Sequence, residues 1–287
     1  MTDLSRYTTL GTGGPATAFA QPRTVAEVEE RLRWAAGQGL AVATIGLGSN
    51  LLVADAGVDA LVLRLDGDLA KVEIDGHVLR VGGGATNAVC LHRARDAGLG
   101  GFEFACAIPG TIGGGVWMNG GAYGGDFAQV LARALVATAE GTGWLTPADL
   151  GLSYRHSNLR HGQVVVRAEL LLEQRPPGEI KARVRELNAQ RKAAQPTNKR
   201  TFGSVFKNPE HELSAGRMLD ACGLRGFKIG GAQISSKHAN FIENAGGART
   251  EDALALMVEA RRRAREQYGV ELRHEVEFLG PIDLPLT

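Results

Sequence analysis

Cysteine is scarce in this chain of 287 residues, and Cys90, Cys106 and Cys222 stand far apart with no CxxC pair. That spacing excludes a disulfide framework and a cysteine-based zinc site, and reads all three as small buried hydrophobes. The seven histidines include no HExxH and no close pair, so no metal site is expected. Long apolar runs are missing too: the longest, Ala253 to Val258, has six residues, against the ~20 that a membrane-spanning helix needs. The N-terminus carries an acid and no apolar stretch, which argues against a secretory signal, and a cytoplasmic location is expected. There is no GxxxxGK[ST], which excludes a P-loop enzyme. A GxGxxA string at Gly11–Ala16 contains Pro15 and follows no good strand, so it is a poor Rossmann fingerprint.

What is present is the composition of an ordinary globular protein, 44 % hydrophobic and 22 % charged. At roughly 150 residues per domain, the length suggests about two domains and permits three. The net charge of +1 hides a polarity: residues 1–150 carry 10 Lys/Arg against 15 Asp/Glu, and residues 151–287 carry 22 against 16. A basic C-terminal half on a near-neutral chain points to an anionic small ligand there, not to nucleic acid. Glycine is uneven as well, with 24 of 39 in the first 125 residues.

The hydrophobic pattern alternates strand and helix. Thr24–Gly37 reads as an amphipathic helix with a capping box from Thr24 and Glu27. Strands are expected at 41–45, 61–65, 78–81 and 164–172, with a helix from Asn87 as cap to Ala97. Pro176-Pro177-Gly178 is the linker candidate, followed by a helix over 179–194. Thr250 to Tyr268 is the clearest helix, with Thr250 as its cap, Gly269 as its stop and Arg261–Arg265 as a solvated face. This favours a layered α/β or α+β structure divided near residue 175.

Three glycine-rich segments follow apolar runs: IGLGSNLLV (Ile45–Val53), VGGGATN (Val81–Asn87) and IPGTIGGGVWMNGGAYGG (Ile108–Gly125). One alone could be a tight turn. Three in one half ask for something to offset a cost of roughly 0.5–1 kcal/mol per glycine, and backbone cradling of a diphosphate does so. Gly46-Leu47-Gly48-Ser49-Asn50-Leu51 and Ile108-Pro109-Gly110-Thr111, with Gly113 and Gly114, are the candidate cradles. In the second half, TFGSVFKNP (Thr201–Pro209) sets Ser204 behind a glycine, outside any GxSxG context. GGAQISSKHANFIEN (Gly230–Asn244) is dense in polar side chains.

Taken in order, TTLGTGGPA, IGLGSNLLV, IPGTIGGGVWMNGGAYGG, SYRHSNL, GSVFKNP, LRGFKIGGAQISSKHANFI and HEVEFLG resemble the UDP-N-acetylenolpyruvoylglucosamine reductase family, in its shorter subclass, over about Tyr7–Gly280. The resemblance implies an α+β fold. Two lobes, 1–65 and 66–175, would form an FAD-binding domain of the vanillyl-alcohol-oxidase type, and a C-terminal α/β lobe, 178–287, would bind substrate. It implies NADPH-dependent reduction of UDP-N-acetylglucosamine enolpyruvate to UDP-N-acetylmuramate, a step of peptidoglycan synthesis, through non-covalent FAD. By matching motifs, Arg155 corresponds to the family's catalytic arginine, Ser204 to its proton donor and Glu275 to its catalytic glutamate. Tyr154, Lys207, Asn208, Arg217 and His238 are the expected substrate contacts. A small-molecule substrate is expected, with no nucleic acid, membrane or obligate protein partner. The other readings are a non-catalytic nucleotide-sugar-binding protein and an FAD-dependent oxidase of the same fold.

Overall fold

The computed structural model describes residues 1–284. The chain forms two compact units: a central one from Ala18–Leu47 and Ala60–Arg191, and a terminal one from Met1–Thr17, Gly48–Asp59 and the chain from Lys192 onward.

The central unit is built on a five-stranded antiparallel sheet. Its order is Gly141–Leu145, Leu131–Thr138, Val164–Leu171, Val78–Gly82, Val72–Asp75. The run Val164-Val165-Val166 is apolar throughout because both faces of this sheet are covered. Val164 and Val166 enter one core with helix α1 (Val25–Gly37), and Val165 enters another, together with residues of the next two helices. A register shift beside Leu135 and Val136 reverses the parity, so Ala168 and Leu170 join Val165. α1 starts as expected: the Thr24 hydroxyl accepts from the Glu27 amide at 3.2 Å, and Val28, Leu32 and Ala35 are buried. The strand Ala41–Thr44 runs parallel to Ala60–Leu63 beside it.

Helix α2 (Asn87–Asp96) is capped by Thr86, not by Asn87 as the sequence suggested. The Asn87 amide is committed elsewhere, donating to the Ile108 carbonyl at 3.0 Å. Helix α3 (Ile112–Trp117) is a short turn capped by Thr111. Pro177, expected in a linker, instead opens helix α4 (Pro177–Ala194), where the missing N–H costs nothing.

The terminal unit carries an antiparallel sheet ordered Thr201–Ser204, Phe241–Asn244, Ala232–Ile234, Lys228–Ile229. Helices α5 (Ala215–Ala221) and α6 (Thr250–Tyr268) share its core with Phe202, Phe206, Ile234 and Ile242. The strand Glu277–Leu279 pairs in parallel with Leu51–Val53. Two expectations change here. Thr250 is the first helical residue of α6, and its hydroxyl donates to the Val53 carbonyl at 2.6 Å; the end is satisfied by Asp252, which accepts from the Arg249 and Gly231 amides. Arg261 is not on a solvated face: it is 4 % exposed and ion-paired with Glu271.

Cys90 and Cys222 are buried as expected, and desolvation pushes the Cys90 thiol up to about 12; Cys106 is only half-buried. Among the described residues no helix is long and apolar enough to cross a membrane.

Candidate active site

In the central unit the second and third glycine segments are zipped together. Thr86 and Thr111 form an antiparallel bridge, the Gly113 amide donates to Gly83 at 2.8 Å, Ile112 to Ala85 at 2.9 Å, and the backbone N–H of Asn87 to Gly110 at 3.0 Å. The glycines are required by this contact: a Cβ on Gly83 would stand 1.9 Å from the Val165 carbonyl oxygen. VGGGATN therefore supports the loop Ile108–Gly114 from beneath. Gly46 joins the same cluster, where a Cβ would meet the Thr111 hydroxyl at 2.6 Å.

Arg155 lies in the same unit, in a tight turn closed by reciprocal backbone bonds between Ser153 and His156, each 3.1 Å. Its guanidinium donates to the Gly121 carbonyl at 2.6 Å and sits 5.2 Å from the Tyr154 ring centroid. Among the described residues the non-glycine residues with positive φ are Asn119 at 40°, Tyr123 at 52° and Arg155 at 53°. They gather on one small patch, and such strain concentrates where a function requires it. Asn119, which sequence reasoning missed, is 2 % exposed and ties the patch together: its amide donates to Ser153 at 2.9 Å and its carbonyl accepts from Ala128 at 2.8 Å. The Asn119-Gly120 dipeptide, favoured at left-handed positions, was the available signal.

In the terminal unit Ser204 ends its strand behind Gly203, whose φ of +85° makes a bulge in the pairing with Phe241–Asn244. Only glycine holds that conformation without cost, and the bulge re-aims the serine. One residue on, the Val205 carbonyl accepts from the Glu275 amide at 2.8 Å, and Phe206 and His274 form an isolated antiparallel bridge, so the backbones of 204–206 and 274–275 run side by side. The second half of the first glycine segment belongs here. The Asn50 amide donates to the Glu275 carbonyl at 3.2 Å, and a Cβ on Gly203 would meet the Ser49 carbonyl at 3.4 Å. Ser49, Asn50, Ser204 and Glu275 are thus brought together within one unit, while Gly46, Leu47, the 108–114 loop, Tyr154 and Arg155 belong to the other.

The expected substrate contacts are spread along this terminal unit. Lys207 lies two residues beyond Val205, its amide donating to the Arg273 carbonyl at 2.9 Å. The Asn208 carbonyl accepts from the Ala215 amide at 3.1 Å, tying it to the start of α5, where Arg217 is exposed. His238 lies edge-on to Phe241, and a Cβ on Gly216 would come within 2.6 Å of its ring.

Burial holds the His238 imidazole below its ordinary 6.5, with Arg225 adding to the effect. The unfolded chain therefore binds a proton near 6.5 that the native state resists. Stability should rise with pH through the window below 6.5 and be lost on acidification through it. Denaturant melts of His238→Gln at pH 7.5 and 5.5 should show a smaller loss on acidification than the unsubstituted protein; an equal loss would remove His238 as a source of that slope.

The residues fit a phosphate-bearing cofactor. Ile108 to Asn119 carries no acidic side chain, and Gly114 is exposed, with only the Thr111 hydroxyl, 3.7 Å away, near where a Cβ would stand. Beneath the loop, the Asn87 carbonyl oxygen is buried with no hydrogen-bond partner, an acceptor that a cofactor hydroxyl or N–H could satisfy and a phosphate could not.

Comparison with known proteins gives the family and the fold. Residues 195–279 match the C-terminal domain of UDP-N-acetylenolpyruvoylglucosamine reductase, and residues 16–144 match an FAD binding domain. UDP-N-acetylenolpyruvoylglucosamine reductase 2 of Symbiobacterium thermophilum is 43 % identical over 280 residues, covering 96 % of this chain and 90 % of that protein. The reductase of Sphingopyxis alaskensis is 44 % identical over 270 residues, 93 % and 90 % of the two chains. The crystal structure of the Thermus caldophilus reductase superimposes with a TM-score of 0.84 at 36 % identity, over 97 % of each chain.

Proposed function

The chain belongs to the UDP-N-acetylenolpyruvoylglucosamine reductase family, and from that premise we propose the residues that carry its reaction. It is an FAD-dependent oxidoreductase that reduces the enolpyruvyl ether of a nucleotide sugar in peptidoglycan synthesis. Our reading adds that FAD is non-covalent, that NADPH is the hydride donor, and that the reaction takes place in the cytoplasm. In this reading 1–65 and 66–175 supply two FAD-binding lobes of the vanillyl-alcohol-oxidase type, and 178–287 binds substrate.

Gly46 to Leu51 and Ile108 to Thr111, with Gly113 and Gly114, would hold the cofactor through backbone groups. Bound FAD supplies the hydride chemistry, and the protein supplies position and charge. Arg155 would stabilise the negative charge that develops on the substrate carboxylate, its planar fork offering two parallel donors. The Ser204 hydroxyl would give a proton to the carbon that does not receive hydride. A serine is a weak acid, so it must lie close to a strongly basic centre. Glu275 would carry the proton of the enolate form. Tyr154, Lys207, Asn208, Arg217 and His238 remain the proposed substrate contacts.

The observation that most supports the reading is the bulge at Gly203, which presents Ser204 one residue from the Val205–Glu275 hydrogen bond. The test is an anaerobic visible spectrum of the purified protein. The flavin absorbance should bleach with NADPH and return with UDP-N-acetylglucosamine enolpyruvate. Recovery only in air would indicate an oxidase. A protein that cannot be loaded with FAD would indicate a nucleotide-sugar binder.

A further inference from the structure

We infer that Asn240 is a positioning residue for the Ser204–Glu275 pair. The inference rests on the roles proposed above for those two residues. The strand Phe241–Asn244 reaches its last pairing with the serine strand at Phe241 opposite Ser204, so beyond that point no strand residue faces Val205 and Phe206 on this edge. Asn240 takes over. Its backbone carbonyl accepts from the Val205 amide at 2.9 Å. Its side-chain carbonyl accepts from the Phe206 amide at 3.0 Å, and its side-chain amide donates back to the Phe206 carbonyl at 2.8 Å.

A short planar amide offers one donor and one acceptor side by side, as a strand residue would, and it is 4 % exposed, so these bonds do not exchange with water. On the opposite edge the Val205 carbonyl takes the Glu275 amide and the Lys207 amide reaches Arg273. Residues 205–207 are therefore clamped from both sides. The peptide of Val205 links Asn240 on one edge to Glu275 on the other. Gly203 turns the chain just before Ser204, so the clamp after it fixes where the hydroxyl points.

Two variants test this as purified flavoproteins. Asn240→Ala removes both side-chain bonds; Asn240→Asp keeps the shape and the acceptor but loses the donor to Phe206. Rapid mixing reads the two half-reactions separately. Flavin reduction by NADPH should stay within about twofold, whereas reoxidation by the enolpyruvyl substrate should slow about 10- to 100-fold, the scale expected for a misplaced reacting group. The solvent deuterium isotope effect on reoxidation should grow. Combined with Ser204→Ala, either variant should cost little more than Ser204→Ala alone, since there is then no hydroxyl left to place.

Equal slowing of both half-reactions, full multiplicative loss in the double variants, or failure of both variants to accumulate as folded flavoprotein would each overturn the inference, leaving Asn240 a purely structural residue. If Ser204→Ala alone leaves reoxidation unchanged, the proton-donor role itself fails and the inference falls with it.

Discussion

Ser204→Ala should leave flavin reduction by NADPH intact while reoxidation by the enolpyruvyl substrate slows by about a thousandfold, inside the ~10²–10⁴ range for a positioned proton donor. Reduction of the carbon–carbon double bond needs a hydride at one carbon and a proton at the other. The first half-reaction, hydride transfer from NADPH to flavin, touches neither carbon, so it is blind to the serine. Alanine deletes one oxygen and no backbone contact: the pairing of residue 204 with Phe241, the bulge at Gly203 and the Val205–Glu275 bond are all backbone features. The variant should therefore fold and hold FAD normally, with stability within about 0.5 kcal/mol of the parent. Anaerobic stopped-flow absorbance reads both steps in one preparation. A reoxidation rate reduced less than tenfold would place the proton source elsewhere, with Glu275, its backbone amide bonded to the Val205 carbonyl, the first candidate to examine by Glu275→Gln.

Local features were legible from sequence wherever neighbours in the chain decide them. Thr24 with Glu27, the stop at Gly269 and the both-faces-buried run at Val164–Val166 follow from spacing and residue type alone. Ser204 behind Gly203 was legible for the same reason. What failed was anything decided by a distant partner. Asn87 and Thr250 have the right chemistry for helix caps, yet their side chains are committed to Ile108 and Val53 across the fold; Thr86 caps α2, and the start of α6 is met by Asp252 and by the distant Asp55, which accepts from the Glu251 amide. Arg261 looks like its exposed neighbours until Glu271 is brought against it.

The grouping of Gly48–Asp59 with the C-terminal half depends on the pairing of Leu51–Val53 with Glu277–Leu279, over two hundred residues apart, and no local pattern announces it. Asn240 belongs to this class, an ordinary polar residue in sequence and a hydrogen-bonded clamp in the fold, whereas Asn119 had a local signal in its Asn-Gly dipeptide.

Arg155 allows stability and chemistry to be separated. At φ +53° an arginine bears a left-handed backbone cost of roughly 1–2 kcal/mol that glycine does not. Against that stand contacts that include the hydrogen bond from its guanidinium to the Gly121 carbonyl, a net contribution of about 1 kcal/mol, and its approach to the Tyr154 ring, about 0.5–1 kcal/mol at an exposed site. Arg155→Gly should therefore leave the folded state within about 1 kcal/mol of the parent, or slightly above it, and still bind FAD. Turnover should nevertheless fall about 10²–10³-fold, the usual effect of removing one preorganised donor from a site where negative charge develops.

Arg155→Lys should recover little of that loss, because an ammonium is a point charge and cannot present two donors in one plane to a carboxylate. Arg155→Ala keeps the backbone strain and loses the guanidinium, so it should be the least stable of the three. Denaturant midpoints and steady-state turnover, measured side by side, decide the matter. A turnover within tenfold of the parent in Arg155→Gly would mean that the charge is stabilised by another group. A collapse of stability in that variant would mean that the strained turn is held for the fold, with the chemistry elsewhere.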